Sequence, residues 1–254
     1  MTSKTLKISA LFGAVALLAA CKPKVEADLY VGDIYEAMED EVDIASPITI
    51  KLPIQSVDDC EDSRNKILPI MNRHSQTEVK FRSCEELSGE MYDHLIVDTD
   101  VLIASADKNG GATFDGVGAI IVGKPSPNLN VYKSYFVLNN SFGPMMQEIN
   151  EAFLYQDVDV DQINFEIILQ NDLREPVQFW SRGYFINESP EYRGKPFQLE
   201  RRDELRILSS DLTATSLVND NYVLLGYLAS RGEELPDSFK KIDGLFSTTV
   251  WRPN

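Results

Sequence analysis

The sequence is poor in the residues that most metal and catalytic sites require. It has two histidines and three cysteines in 254 residues. Zinc sites take three or four ligands at short spacing, and neither His74 nor His94 has such a partner on a predicted helix. A Gly-x-Gly-x-x-Gly turn, a P-loop and a Gly-x-Ser-x-Gly elbow are also missing from the sequence. We therefore expect no metal, no cofactor and no enzymatic activity.

Basic residues are scarce as well. The 24 Lys and Arg residues stand against 40 Asp and Glu residues, which gives a net charge of −16. Such a surface repels the phosphate backbone of nucleic acids and anionic lipid head groups. We therefore expect no nucleic-acid partner and attribute the acidity to solubility beside a membrane.

A long apolar run occurs only at the N-terminus. Ile8 to Ala20 is a run of 13 residues that only Ser9 interrupts, and it follows a basic head with Lys4 and Lys7. At about 1.5 Å per residue the run reaches about 20 Å, whereas a spanning helix crosses a core of about 30 Å. The pattern is typical of a secretory signal peptide, which we assign to residues 1–20.

The end of this segment, Leu18-Ala19-Ala20-Cys21, resembles the lipobox of bacterial lipoproteins. The resemblance implies cleavage before Cys21 and lipidation of its thiol, so that residues 21–26 form a lipidated tether. Several acyl chains hold a protein on a bilayer far better than one chain does. Within that class, Lys22 rather than Asp after the Cys implies an outer-membrane protein that faces the periplasm. The alternative is an ordinary secretory signal that leaves Cys21 as a plain thiol.

The two remaining cysteines form an even pair in a chain that we expect to be exported. Exported proteins favour disulfides, so we predict a bond between Cys60 and Cys84. A redox pair is the alternative, but it usually has Cys-x-x-Cys spacing beside a helix start, and that spacing is missing here. The predicted bond has a structural role.

Period-two alternation of apolar and polar residues dominates the chain and is typical of strands with one buried face. We predict strands near 25–31, 48–54, 79–84, 95–103, 117–122, 131–138, 163–169, 177–185, 197–200, 205–208, 222–228 and 245–251, and helical segments near 33–38, 60–74, 85–91, 141–153 and 210–217. The nearly continuous apolar run at 117–122 indicates a strand buried on both faces. A capping box at Asp33 and Glu36 marks the start of the first helix.

These elements predict an α+β fold of largely antiparallel strands with a few short helices. We expect residues 163–185 to form a hairpin. The weakest seam lies near 107–115 and divides the chain into a strand–helix–strand lobe over 27–108 and a strand-rich lobe over 109–254. One sheet shared by both halves remains the alternative.

Several short motifs carry a resemblance to a known family. They are Glu26-Ala-Asp-Leu-Tyr30, Gly32-Asp-Ile34, Ser46-Pro-Ile-Thr-Ile-Lys-Leu-Pro-Ile54, Cys60, Cys84 and Asn171-Asp172. With them the chain resembles a family of uncharacterised bacterial lipoproteins that occur in phages, prophages and related mobile elements. The resemblance implies a location in the cell envelope and carries no catalytic residues.

Two further stretches are candidate sites. Asp157, Asp159 and Asp161 have the spacing of the first three ligands of a calcium loop, but Gly and Glu are missing at the sixth and twelfth positions, so an acidic strand face is the better explanation. Trp180, Arg182 and Tyr184 form an interaction patch if the two rings face outward, because interfaces favour aromatic residues and Arg. The sequence thus predicts a non-enzymatic envelope or protein-interaction factor. A periplasmic binder of a small or lipidic ligand is the alternative, and it requires an apolar cavity.

Overall fold

The structure is a computed structural model that describes residues 22–75, 77–88, 92–106, 116–126, 128–152, 163–191 and 196–236. Within these ranges thirteen strands form one sheet and four helices pack against it. The strands are β1 (Lys24–Tyr30), β2 (Ile44–Ile54), β3 (Lys80–Glu86), β4 (Asp93–Ser105), β5 (Gly118–Gly123), β6 (Val131–Leu138), β7 (Asn164–Gln170), β8 (Val177–Trp180), β9 (Phe185–Ile186), β10 (Ser189–Pro190), β11 (Phe197–Leu199), β12 (Glu204–Leu208) and β13 (Tyr222–Ala229). The helices are α1 (Val31–Glu39), α2 (Cys60–His74), α3 (Phe142–Ala152) and α4 (Asp211–Asp220). None of these helices is long and apolar enough to cross a bilayer.

The strand order is β10-β9-β12-β7-β1-β2-β4-β5-β6-β13-β8-β11, and β3 pairs with the first half of β4. Two neighbouring pairs are parallel, β1 with β7 and β4 with β5, and the other pairs are antiparallel. The predicted α+β class with mostly antiparallel strands is therefore confirmed for the described part of the chain.

Chain connectivity shows that the sheet curls until its two edges approach each other. Strands β8 and β9 lie nine places apart in the order, yet only residues 181–184 connect them. A flat sheet would separate them by about 43 Å at about 4.8 Å per strand, whereas the connection reaches at most about 18 Å. Side chains accordingly meet across the interior, where the ring centroids of Phe136 on β6 and Phe165 on β7 are 5.7 Å apart.

Helices close the two ends of this curled sheet. We call the end where β1 starts the tether end and the end where β1 finishes the far end. Helix α1 leaves β1 at the far end, where fully buried Tyr35 donates a hydrogen bond of 2.7 Å to the carbonyl oxygen of Ala229. Helix α4 joins β12 to β13 at the tether end and buries Ala214 and Leu217. The interior is thereby filled by one large cluster of apolar side chains.

The outer face of the sheet is also buried over β4, β5, β6 and β13. Ala104, Ala119, Ile121, Tyr135 and Val137 form a second apolar cluster there, and each is at most 9% exposed. On the same strand β5, Ile120 and Val122 belong to the interior cluster. The prediction that this strand is buried on both faces is confirmed.

The predicted hairpin at 163–185 is wrong. Strand β7 pairs with β1 and β12, whereas β8 pairs with β13 and β11 on the other side of the molecule. The chain between them crosses at the far end, where the amide nitrogen of buried Asn171 donates to the carbonyl oxygens of Glu175 and Leu199. Strands on both sides of the predicted seam share the sheet through β4 and β5, as the one-sheet alternative requires. The seam itself, at 107–115, lies outside the described residues.

Three local predictions also need correction. Helix α1 begins at Val31, two residues before the predicted cap, and the carboxylate of Asp172 accepts a 2.9 Å hydrogen bond from the Gly32 backbone N–H in place of a local cap. Glu85 and Glu86 extend β3 instead of starting a helix. Strand β1 already begins at Lys24, inside the predicted tether. The ladder between β1 and β7 even extends one residue further, since the Pro23 carbonyl oxygen accepts a hydrogen bond from the Asn164 backbone N–H.

Candidate interaction groove

The outer face of β12, β7, β1, β2 and β4 is charged. In β1 the sequence Lys-Val-Glu-Ala-Asp-Leu-Tyr alternates, so Val25, Ala27 and Leu29 are buried and the intervening polar residues point outward. Register then places Glu26 of β1 directly beside Glu166 of β7. Two like charges in such a cross-strand pair repel each other unless cations lie close by.

Three cations surround this carboxylate pair. The ammonium of Lys24 lies 2.9 Å from Glu26 Oε1 and 3.3 Å from Glu166 Oε2 and thus bridges the two acids. Lys51 of β2 approaches the same Glu26 oxygen at 2.7 Å, and Arg206 of β12 pairs with Glu166. The five groups form a chain of ion pairs in which cations and acids alternate, Arg206–Glu166–Lys24–Glu26–Lys51, and this chain neutralises the two acids and links four strands.

The pKa values of the groups reflect this arrangement. Burial opposes ionisation of Glu26, but hydrogen bonds from Lys24 and Lys51 outweigh it and hold the pKa of Glu26 below its usual value. Burial likewise opposes ionisation of Glu166, whose pKa is nevertheless lowered by its hydrogen bond with Arg206 and by the charge of Lys24. Both carboxylates are therefore ionised at neutral pH.

A groove of about 470 Å³ runs along this face and is lined by residues of β1, β2, β3, β4 and β7. Asp98 accepts a hydrogen bond from the Thr49 hydroxyl (3.1 Å) and forms an ion pair with Arg82 at 2.7 Å. Asp28 also lines the groove, and among the residues that the structure describes it has no cationic partner. Its exposed carboxylate can accept hydrogen bonds from a Lys or Arg side chain of another molecule.

The predicted aromatic patch is wrong in its orientation. Trp180 and Tyr184 are each 2% exposed, and of the three predicted residues only Arg182 is exposed. The Tyr184 hydroxyl donates a 2.6 Å hydrogen bond to the Leu224 carbonyl oxygen, and burial raises the Tyr184 pKa. Trp180 packs against Tyr227 with the two rings tilted by 57° and their centroids 5.6 Å apart. The two predicted aromatic residues are buried in different places: Tyr184 belongs to the interior cluster, whereas Trp180 packs in a separate cluster with Tyr227 and Leu235.

Trp180 and Arg182 instead line a cavity of about 180 Å³ together with Leu224, Leu225 and Gly226. The cavity lies where β13 has a bulge between Leu224 and Gly226. Leu225 is the unpaired residue of this bulge, and its carbonyl oxygen accepts a 2.5 Å hydrogen bond from the Ser181 hydroxyl. The cavity is smaller than the several hundred Å³ typical of a ligand pocket.

The predicted disulfide is present, with the two sulfur atoms of Cys60 and Cys84 bonded at 2.05 Å. It joins the start of α2 to the middle of β3. Cys21, the predicted lipidation site, lies outside the described residues, as do Asp157, Asp159 and Asp161.

The two histidines occupy separate structural positions. His74 Nε2 lies 2.8 Å from Glu148 Oε1 and links α2 to α3, whereas His94 on β4 is 4% exposed. In the described ranges no three His, Cys, Asp or Glu side chains are grouped so that they could hold a metal ion.

Comparison with known families gives one match. A family model described as a domain of unknown function, DUF7424, matches residues 23–234. The chain belongs to this family. The match begins one residue before β1 and ends after β13, so the DUF7424 domain includes the whole described sheet. No curated protein and no solved structure matches the chain.

The groove is only partly encoded in local sequence patterns. The alternation in β1 predicted that Glu26 and Asp28 face outward. Glu166 and Arg206 could not be added, because the parallel pairing of β1 with β7 joins segments that are 140 residues apart. Nothing local in the sequence indicates that pairing.

Proposed function

We propose that this protein is a lipid-anchored lipoprotein of the bacterial outer membrane that faces the periplasm. In this proposal it acts without catalysis by docking another envelope protein, and a phage, prophage or related mobile element uses it to alter the surface of its host. The proposed lipid anchor is supported by the lipobox-like Leu18-to-Cys21 segment and by the short distance along the chain between Cys21 and the folded domain. Only Lys22 and Pro23 separate Cys21 from β1.

The observation that carries the docking role is the groove on the charged outer face. The interior of the curled sheet is packed with side chains, whereas the groove is open and presents the free carboxylate of Asp28. A protein segment with a Lys or Arg side chain is its best occupant, since a carboxylate binds such a group by charge-assisted hydrogen bonds. The acids around Asp28 are already held by ion pairs with neighbouring strands, so little additional ordering of their side chains is needed on binding.

Site-specific photo-crosslinking in cells tests this role. A photoreactive amino acid at Pro47, which is exposed in the groove, should form one discrete adduct with an envelope protein. The substitution Asp28→Lys in the same chain should remove that adduct by charge repulsion. A photoreactive residue at exposed Pro125, outside the groove, is the control. Identical adducts at Pro47 and Pro125, or an adduct that survives Asp28→Lys, contradict the proposal.

The anchor is tested separately by intact-mass measurement of the purified native protein. The proposal requires acyl mass on Cys21 and loss of membrane fractionation in Cys21→Ser. A polypeptide without that mass, still fractionating with membranes, contradicts the lipoprotein assignment.

The cavity at the β13 bulge favours a second candidate function, the binding of a small or lipidic ligand. An apolar cavity of about 150 Å³ admits benzene, so a cavity of this size takes a group of similar volume. Benzene should then raise the unfolding temperature of the wild type more than that of Leu224→Phe, whose larger side chain fills the space. Equal shifts in both proteins contradict this function.

A further inference from the structure

Helix α4 lies at the end of the molecule from which the chain leaves toward Cys21. The Lys22 ammonium is 3.6 Å from Asp211 Oδ1, at the first residue of the helix. The backbone N–H of Asn164 donates to the Pro23 carbonyl oxygen at 3.0 Å and holds the departing chain against β7. Three residue steps from Lys24 to Cys21 span at most about 11 Å. A lipid group on Cys21 would therefore bring α4 close to the bilayer.

The side of α4 that faces away from the interior is unusual for this chain. Its second residue, Leu212, is 82% exposed, the most exposed large apolar side chain in the described ranges. Thr215, Ser216 and Asn219 complete that side, opposite buried Ala214 and Leu217. No charged residue occurs from 212 to 219, although 25% of the chain is charged and α1, α2 and α3 each carry internal charges.

We propose that this side of α4, formed by Leu212, Thr215, Ser216 and Asn219, is a membrane-contact surface that sets the orientation of the domain on the bilayer. The inference rests on the proposed lipidation of Cys21 for its anchor. Interfacial helices bury their apolar residues about 5–10 Å into the boundary between head groups and acyl chains. Leu212 occupies that boundary, and the uncharged hydroxyl and amide groups of Thr215, Ser216 and Asn219 contact the head groups.

This surface also fixes the direction of the interaction groove. Strand β1 runs from the tether end to the far end, and the groove follows its outer face. With α4 against the bilayer, Asp28 lies farther from the membrane than Lys24, and the groove opens sideways into the periplasm. A partner anchored in the same membrane can then reach it.

Depth-dependent fluorescence quenching tests the contact. The native lipidated chain with Leu212→Cys, labelled with an environment-sensitive fluorophore, is placed in vesicles of phosphatidylethanolamine and phosphatidylglycerol that contain brominated acyl chains. The label should lose intensity and shift its emission to the blue. Val42→Cys, a 37% exposed apolar position at the far end, is the matched control and should show neither change.

Two further results separate this inference from the lipidation itself. The intact mass reports whether Cys21 is acylated. The same labelled body held on vesicles by an N-terminal hexahistidine segment and a nickel-chelating lipid reports the contact without acylation, and quenching at residue 212 but not 42 again supports it. Equal quenching at both positions, or none at 212 in either preparation, overturns the inference.

Discussion

The outer face of the sheet has a charged half and an apolar half, and they are stabilised in different ways. In the charged half, over β12, β7, β1 and β2, Lys24, Lys51 and Arg206 neutralise neighbouring acids across strands. In the apolar half, over β5, β6 and β13, Ile121 and Val137 are almost fully buried. Burial contributes far more per residue than exposed ion pairs do. Stability should therefore depend on the apolar half, and surface recognition on the charged half.

The largest expected effect concerns β3, which in the described ranges pairs only with β4 at the border of the charged half. The double substitution Cys60→Ser and Cys84→Ser opens a loop with a sequence separation of 24 residues. In the chain-entropy model this lowers the free energy of unfolding by about 3.5 kcal/mol. Urea unfolding measures the loss. A reducing agent should lower the free energy of unfolding of the wild type to that of the variant and should not change that of the variant. A variant as stable as the oxidised wild type contradicts the prediction.

Removing an apolar side chain should distinguish the two halves directly. Ile121→Ala in the apolar half leaves a cavity and should cost about 3 kcal/mol. Ile168→Ala on the charged outer face, where the side chain is only partly buried, should cost less than about 1 kcal/mol. Urea unfolding measures both values. Equal losses of unfolding free energy, with the dependence on urea concentration unchanged, would mean that the two halves contribute equally to stability.

Within the charged half, the bridging cation should contribute most. Lys24→Met leaves Glu26 and Glu166 side by side with one cation fewer and should cost about 1–2 kcal/mol. The difference should shrink in high salt, which screens the repulsion. Lys80→Met is the control, because Lys80 and its partner Glu78 are both well exposed, and it should change stability by less than about 0.5 kcal/mol. A loss for Lys80→Met as large as that for Lys24→Met contradicts the special role of Lys24.

The smallest effect is a dependence on pH. The pKa values of Glu26 and Glu166 are lower in the folded protein than their ordinary values, so the stability they contribute is present above about pH 4.5 and is lost as the pH falls through the folded-state values. The urea midpoint should thus be lower at about pH 3 than at about pH 6. Lys24→Met should reduce the difference between the two urea midpoints, because the pKa values of Glu26 and Glu166 rise without the cation. Ile121→Ala should leave this difference unchanged. An unchanged gap in Lys24→Met contradicts the pKa argument.

Local patterns predicted most elements of the fold but not their pairing. Helix α2 was predicted at its observed bounds despite Pro69 inside it, and the continuous apolar run predicted the doubly buried β5. The predicted hairpin was wrong because alternation of apolar and polar residues identifies a strand but does not show which strand it pairs with. The predicted start of α1 was wrong because the carboxylate that caps the helix belongs to Asp172, which is 140 residues away from Gly32 in the sequence.

The candidate site shows the same limit. Alternation in β1 indicated that Glu26 and Asp28 face outward, but their neighbours on β7 and β12 follow from tertiary pairing. The aromatic patch failed because a sequence cluster of Trp180, Arg182 and Tyr184 does not show which side the chain turns to. Both aromatic residues are buried where the chain passes from one sheet edge to the other.

The pairing of β1 with β7 has a consequence for how the molecule forms. Strand β1, the first strand of the described residues, acquires one of its two neighbours only after 140 further residues have been made. Contacts of such high sequence separation slow folding, since the entropy of closing a long loop is lost before the contact is gained. Until β7 arrives, one edge of β1 has free backbone groups that can pair with other chains. A nascent chain of this protein therefore depends on being kept apart from its copies until the central ladder closes.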